Sequence, residues 1–454
     1  MQKDKKMKKR AVKLSPMQII ALTFGGIILL GTLLLSLPVA SRNGQAVSVL
    51  DALFTATSAT CVTGLIRFDT WSQWSGFGQV VILCMIEIGG LGFMSAASLV
   101  IFLFRRKVGL RQRMVMAQAL SLNEMESVVK LQKWVIYGSL SVQLTGAIIL
   151  LLRFLPEYGL RKAVIWGIFH SVSAFCNAGF DIFGSVQPGS SLICVNNDPV
   201  VLCTLMGLIV VGGLGFFVWE EIARVRRFRN FSVYTKLVLL TTGVLILGGT
   251  AVILLLEWNN PQTLGNMGVG QKILNGLFQS VTLRTAGFAS VDQAGLTDAG
   301  KAVSMVLMLI GGSSGSTAGG LKTVSFLVLV LFLWSRARGR STIHAFRRSI
   351  PGEKVMDAMT IAGILLTLAI FGGVFISATS PVSFTDGLFE AVSALATVGL
   401  TTGATASLSI PSQILIIIFM YFGRVGVLTI SMGFLMGDRA ADRFRYAHTN
   451  LLIG

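Results

Sequence analysis

Hydrophobic residues along this chain fall into long runs rather than alternating stripes. Runs long enough to cross a bilayer, which takes about 20 residues at 1.5 Å rise each, lie at 17–38, 77–104, 133–155, 199–222, 234–256, 302–333, 355–378 and 412–436. They predict eight transmembrane helices. Between the two runs of each successive pair sits a shorter apolar segment rich in Ser and Thr. These four segments are versions of one phrase: FTATSATCVTGL from Phe54, FHSVSAFCNAGF from Phe169, FQSVTLRTAGF from Phe278 and FEAVSALATVGL from Phe389. Successive Phe positions lie 115, 109 and 111 residues apart. A repeat at near-constant period dictates architecture before any local feature does. The expected fold is an all-α polytopic membrane protein, with four tandem helix–pore-loop–helix repeats in pseudo-fourfold arrangement around one pore. Its expected parts are a basic N-terminus (1–16), repeat one (17–112), repeat two with a preceding cytoplasmic segment (113–230), repeat three (231–348), repeat four (349–436) and a C-terminal tail (437–454).

The phrases begin in segments at about 50–60, 163–175, 269–282 and 384–395 that are too short to span and must re-enter. Non-helical backbone survives at membrane depth only where protein or water satisfies its polar groups. Four loops meeting on an axis meet that condition, because their carbonyls can replace the water around an ion. Glycine ends each loop (Gly64, Gly179, Gly287, Gly399), where its freedom at positive φ turns successive carbonyls the same way. Helix dipoles aimed C-terminus inward favour a cation. The carbonyl donors are then Val62 and Thr63, Asn177 and Ala178, Thr285 and Ala286, Thr397 and Val398. The third phrase is one residue shorter between Phe and Gly, and Arg284 precedes its Thr285. That arginine either braces the loop through carbonyls or repels ions.

A second set of glycines lies beneath the first. The inner runs carry Gly89-Gly90-Leu91-Gly92, Gly212-Gly213-Leu214-Gly215 and Gly423-Arg424-Val425-Gly426. Small residues at one depth ordinarily permit close helix packing, which suffices for repeats one and two. Repeat three departs from this, with Gly311, Gly312, Ser313, Ser314, Gly315, Ser316, Thr317, Ala318, Gly319 and Gly320 in succession. Such a run holds no helix in hydrocarbon unless it lines a cavity. It reads as a flexible segment below the loops, across the conduction path. Arg424 stands where the other repeats have glycine, and an intramembrane charge is functional by default. Either it faces the pore and pairs with 311–320, or it only ties helices together through carbonyls. Glu87 is the acidic residue at similar depth, and Lys322 is expected to snorkel to the cytoplasm.

Composition agrees with a membrane setting: 53% hydrophobic, 13% charged, mean hydropathy +0.75. Soluble domains are about 25% charged. Net charge is +18, and the cations cluster at the N-terminus, 105–113, 224–229, 336–348 and 439–445, all on one side if every repeat crosses twice. Positive residues favour the inside, so both termini are expected in the cytoplasm and the phrases toward the outside. Because this charge sits at membrane borders, nucleic acid is not an expected partner. The first apolar run exceeds the 7–15 residues of a signal core and reads as a retained span. Cys61, Cys84, Cys176, Cys194 and Cys203 show no metal or disulfide spacing. Cys61 and Cys176 read as small apolar side chains behind loops, and His170 lacks a second metal ligand. No acid pair, Ser/His set or metal cluster lies among the spans, so an enzyme is not expected.

The four hairpins, one glycine per loop, the Gly/Ser break and Arg424 together resemble the Trk/Ktr/HKT potassium-transporter superfamily, in particular its Ktr membrane subunits. The resemblance covers nearly the whole chain. It implies a bacterial plasma-membrane homodimer with one pore per subunit, taking up K+ with no organic cofactor. It places the filter at Gly64, Gly179, Gly287 and Gly399, the gate at 311–320 and the pore arginine at Arg424. It also implies a cytoplasmic ring of RCK-type nucleotide-binding subunits as regulator. The stretches 105–132 and 335–353 are candidate docking surfaces for it, or anchors to anionic membrane lipid. One glycine per loop predicts a short filter with loose rejection of Na+. The alternative is an ion-coupled Na+/K+ secondary carrier, whose repeats are commonly inverted; these run parallel.

Overall fold

The computed structural model describes residues 16–92, 128–340, 342–346 and 348–426. The tail 437–454, residues 1–15 and most of the candidate docking stretch at 105–132 lie outside the described residues.

Helices α1 (Pro16–Leu35), α4 (Val128–Phe175), α7 (Val233–Glu257) and α11 (Gly352–Thr379) open the four repeats, and each is long and apolar enough to cross a membrane. Their outward faces stay apolar, with Leu29, Leu247, Leu255 and Ile370 exposed. Lipid rather than water suits such a belt. Within α4, Pro156 and left-handed Gly159 (φ 75°) break the helix, so its first part is the outer span and its second the descending segment. The other descending helices are α2 (Val49–Thr60), α8 (Val269–Thr282) and α12 (Phe384–Leu395), close to the expected limits. Ser48 and Ser383 cap two of them by accepting from the Asp51 and Asp386 amides, a bond worth about 1 kcal/mol. The repeated phenylalanines are buried, three of them fully.

The break expected in repeat three is present, and the helices of the other inner runs stop short of their expected ends. Those of repeats one, two and four form α3 (Gly76–Leu91), α5 (Pro199–Leu214) and α13 (Ile410–Val425), and each stops at a glycine with φ of 80°, 94° and 91° at Gly92, Gly215 and Gly426. After Gly215 the chain turns by 95° into α6 (Phe216–Val225). Repeat three breaks between α9 (Asp298–Leu309) and α10 (Thr323–Ala337). Among the described residues the eight expected spans comprise four long outer helices, two inner runs that break (repeats two and three) and two inner helices that end at Gly92 and Gly426.

Packing and breaking are assigned to different glycines. A Cβ on Gly89, Gly212 or Gly423 would collide with the carbonyl oxygen of Thr60, Phe175 or Leu395, the ends of the descending helices of the same repeats. The first glycine of each group admits a helix end; the last one bends the chain. Among the described residues the β structure is a hairpin, β1 (Ile343–Ala345) with β2 (Arg348–Ile350), inside the candidate docking stretch 335–353.

Candidate ion-conduction centre

The four loops meet. A Cβ added to Gly64 would lie 2.5 Å from the Ala178 oxygen, one on Gly179 2.8 Å from Ala286 O, one on Gly287 2.5 Å from Val398 O, and one on Gly399 against Thr63 O. Each glycine thus faces the carbonyl that precedes the next repeat's glycine, and the fourth returns to the first. The result is a closed ring in chain order, built from backbone alone.

The residue two before each glycine is left-handed in every repeat: Val62 (φ 55°), Asn177 (59°), Thr285 (65°) and Thr397 (52°). Three of these are β-branched, for which that region is a true outlier, and such strain costs about 1–3 kcal/mol per residue. A fourfold recurrence at one position means the surroundings impose it. Left-handed residue, intervening residue and left-handed glycine recur in all four loops. Hydrogen bonds to the descending helix hold this shape: Thr63 N to Ser58 O, Ala178 N to Ser173 O and Val398 N to Ser393 O, each 2.8 Å. Gly64 N and Gly399 N donate to Ser58 Oγ and Ser393 Oγ. The serines of the phrase are therefore struts. In repeat three Ala286 N reaches back four residues, to Thr282 O at 2.9 Å. The missing residue is absorbed there, and Thr285-Ala286-Gly287 keeps the register of the others.

Beneath the ring lies the Gly/Ser segment. It is a compact loop, closed at its neck by Gly311 N to Leu321 O (2.9 Å) and Leu321 N to Leu309 O (3.0 Å). Ser313 and Thr317 donate their amides to Gly213 O and Gly212 O, Gly315 O accepts from Phe216 N, and Tyr234 Oη donates to Ser314 O. Thr317 Oγ1 donates to Phe175 O at 3.2 Å, and a Cβ on Gly319 would meet Ala396 O at 3.1 Å. Gly312, Ser316 and Gly320 complete a segment fastened to the inner helix of repeat two and to the end of its descending helix.

Cations hold the loop from three sides. Arg424 donates to Thr317 O and to the Gly89 and Gly90 oxygens at the end of α3, the last at 2.9 Å. Through these carbonyls it touches the 311–320 segment and ties it to an inner helix. Glu87 is not its partner. That carboxylate accepts from Gln143 Nε2 (2.9 Å) and Cys176 Sγ (3.3 Å), so Cys176 is more than filler. Lys322 does not snorkel; its ammonium folds back onto Ala318 O at 2.7 Å. Arg284 reaches past its own loop to Gly311 O at 3.4 Å. Among the described residues none of these cations forms an ion pair within 4 Å.

Residues after the repeated Phe carry structural weight that the sequence reading missed. His170 accepts the Ile182 amide at Nε2 (3.3 Å) while Nδ1 lies 2.8 Å from Trp166 O. Gln279 exchanges two hydrogen bonds with Gln293. The signal was available, as a polar residue at one position of every copy. Among the described residues no group of His, Cys, Asp and Glu is suited to a resident metal; the ring offers carbonyls.

Residues 3–440 match the family model described as TrkH, cation transport protein. The chain is 39% identical to the potassium/sodium uptake protein NtpJ of Enterococcus hirae, covering 99% of both. It is 37% identical to the Ktr system potassium uptake protein B of Bacillus subtilis, covering 98% of both. Its fold is similar to that of the potassium transporter TrkH from Vibrio parahaemolyticus, with TM-score 0.72 and 18% identity over 93% of this chain and 86% of that one.

Proposed function

The chain belongs to the Trk/Ktr family of cation transport proteins, multi-pass membrane transporters rather than enzymes, and from that premise we propose that it conducts K+ through the ring of four glycine loops. The observation that carries this reading is the closed cycle of glycine-to-carbonyl contacts. The carbonyls of Val62, Thr63, Asn177, Ala178, Thr285, Ala286, Thr397 and Val398, with those of the four glycines, replace the water around the ion. K+ is the cargo, and no bonds are made or broken.

The loop at 311–320 is the gate, held closed by Arg424 with Lys322 and Arg284. Its neck and its anchors to Gly212, Gly213 and Phe175 support a rigid element that swings or unfastens, in place of a floppy strand. Phosphate binding is a poor alternative for so Gly-rich a stretch, because no Gly-Lys-Ser/Thr follows. Both termini face the cytoplasm, following the positive clusters. The regulator is a cytoplasmic RCK-type nucleotide-binding ring, the membrane subunit is a homodimer, and the hairpin at 343–350 is a surface on which that ring can bear.

Uptake of Rb+ by the purified protein in liposomes tests the reading. Serine at any of Gly64, Gly179, Gly287 or Gly399 adds atoms where a Cβ already meets a neighbouring carbonyl, so K+ and Rb+ uptake should fall and discrimination from Na+ should weaken. Unchanged uptake and unchanged discrimination in all four variants would dispose of it. Uptake that needs an opposing or accompanying Na+ gradient would favour the coupled carrier, a comparison sharpened by the name of the Enterococcus hirae relative.

A further inference from the structure

The chain leaving each filter glycine is tied back to its own descending helix, and the ties differ in chemistry. In repeat one the Arg67 guanidinium, three residues past Gly64, pairs with Asp51 of α2. Repeat two uses His170 and the Ile182 amide, and repeat three uses the Gln279–Gln293 pair. Repeat four uses a carboxylate. Glu390, wholly buried on α12, accepts from the Thr401 hydroxyl and from Thr405 Oγ1 at 2.6 Å, one oxygen for each. Thr401 Oγ1 in turn accepts from Gly403 N at 2.9 Å and lies 3.0 Å from Thr405 Oγ1. Both carboxylate oxygens are used, and among the described residues no cation lies within 4 Å of them. The neighbouring Lys301 of α9 is engaged by Asp386, one turn earlier on the helix, at 3.0 Å.

We propose that Glu390 is a positioning residue for ion discrimination, holding the outer end of the fourth filter loop through Thr401 and Thr405. This rests on the reading of the four loops as the filter. Gly399 lies between two clamps: its own amide and that of Val398 are fixed from below by Ser393, and Thr401, two residues on, is fixed from above by Glu390. Carbonyls that choose between K+ and Na+ must hold their positions to within about 0.5 Å. A carboxylate acts only as an acceptor, so it takes both hydroxyls in one geometry, and charge-assisted bonds of this kind are roughly twice as strong as neutral ones. Glutamine has the same shape but offers one acceptor oxygen and an amide donor, so one hydroxyl must turn round or lose its partner. At this place the other three repeats carry Thr55, His170 and Gln279, and the carboxylate that ties the first loop, Asp51, is paired with Arg67, so the fourth loop is the one tied through a carboxylate to two hydroxyls.

The test measures Rb+ and Na+ uptake by Glu390→Gln, Thr405→Val, the double variant and Gly399→Ser, all as full chains in liposomes and scaled to reconstituted protein. Each single variant should raise the Na+-to-Rb+ ratio by at least about tenfold, the low end of the value of one hydrogen bond to a charged group. The double variant should add little, because both changes open the same tie. Thermal midpoints of the single variants should fall about as far as that of Ser383→Ala, a helix-cap loss of similar size that leaves the ratio unchanged, which separates loop positioning from general loosening. A parental ratio in Glu390→Gln and Thr405→Val, together with a disturbed one in Gly399→Ser, overturns the role of Glu390 and leaves the filter standing. A parental ratio in Gly399→Ser as well overturns the filter reading and this inference with it.

Discussion

Replacing Arg424 with alanine should release the gate loop. The guanidinium holds the carbonyls of Thr317, Gly89 and Gly90. Only Thr317 belongs to the loop, so only that bond biases the loop's position; the other two anchor the arginine on α3. A hydrogen bond to a charged group contributes about 1.5–3 kcal/mol net, and losing it shifts a two-state equilibrium by about 10- to 150-fold. The remaining attachments of the loop through Gly212, Gly213 and Phe175 persist, which favours the lower end. Initial Rb+ uptake in liposomes, without any cytoplasmic partner, should therefore rise about tenfold. The KM should stay near the parental value, because the ring above is not touched. Arg424→Lys should fall between parent and alanine, since an ammonium supplies a point charge without the planar fork. The reasoning is refuted if Arg424→Ala, folded and reconstituted at equal amount, takes up Rb+ at the parental rate with parental dependence on its regulator.

Other outcomes follow from the same geometry. Lys322→Met removes the bond to Ala318 O and should raise uptake in the same assay, by less than Arg424→Ala, because a single donor is lost. Gly215→Ala places a Cβ 2.8 Å from Ser314 O at a residue with φ 94°, so it should alter opening; Gly207→Ala, with open space around its Cβ, should match the parent. Ser48→Ala and Ser383→Ala each delete a helix cap and should cost about 0.5–2 kcal/mol of stability, read as a lower thermal midpoint, without changing the Na+-to-Rb+ ratio.

The repeated phrase made the descending helices and their register legible in the sequence, because a quadruplicated pattern outweighs any local ambiguity. The limits read for α8 and α12 agree with the observed helices, and the glycines do close a ring. Local propensity did not separate two uses of glycine in the inner runs. Gly89, Gly212 and Gly423 relieve a steric contact, whereas Gly92, Gly215 and Gly426 carry a backbone turn; both look the same as letters. The left-handed Val62, Thr285 and Thr397 run against the preferences of β-branched residues, since tertiary hydrogen bonds override them. Partners of charges were misjudged where depth alone was used: Glu87 turned to Gln143 and Cys176, and Lys322 turned inward. Carbonyl oxygens are present at every residue, and composition does not reveal which of them face a cation.

The most direct test is to look for the ion. A structure of the protein soaked in Rb+ or Tl+, with anomalous density recorded, should show a peak on the axis of the ring formed by Gly64, Gly179, Gly287 and Gly399, coordinated by carbonyl oxygens from all four loops. Ions bound elsewhere in the membrane region, with the ring empty at saturating concentration, would contradict the account.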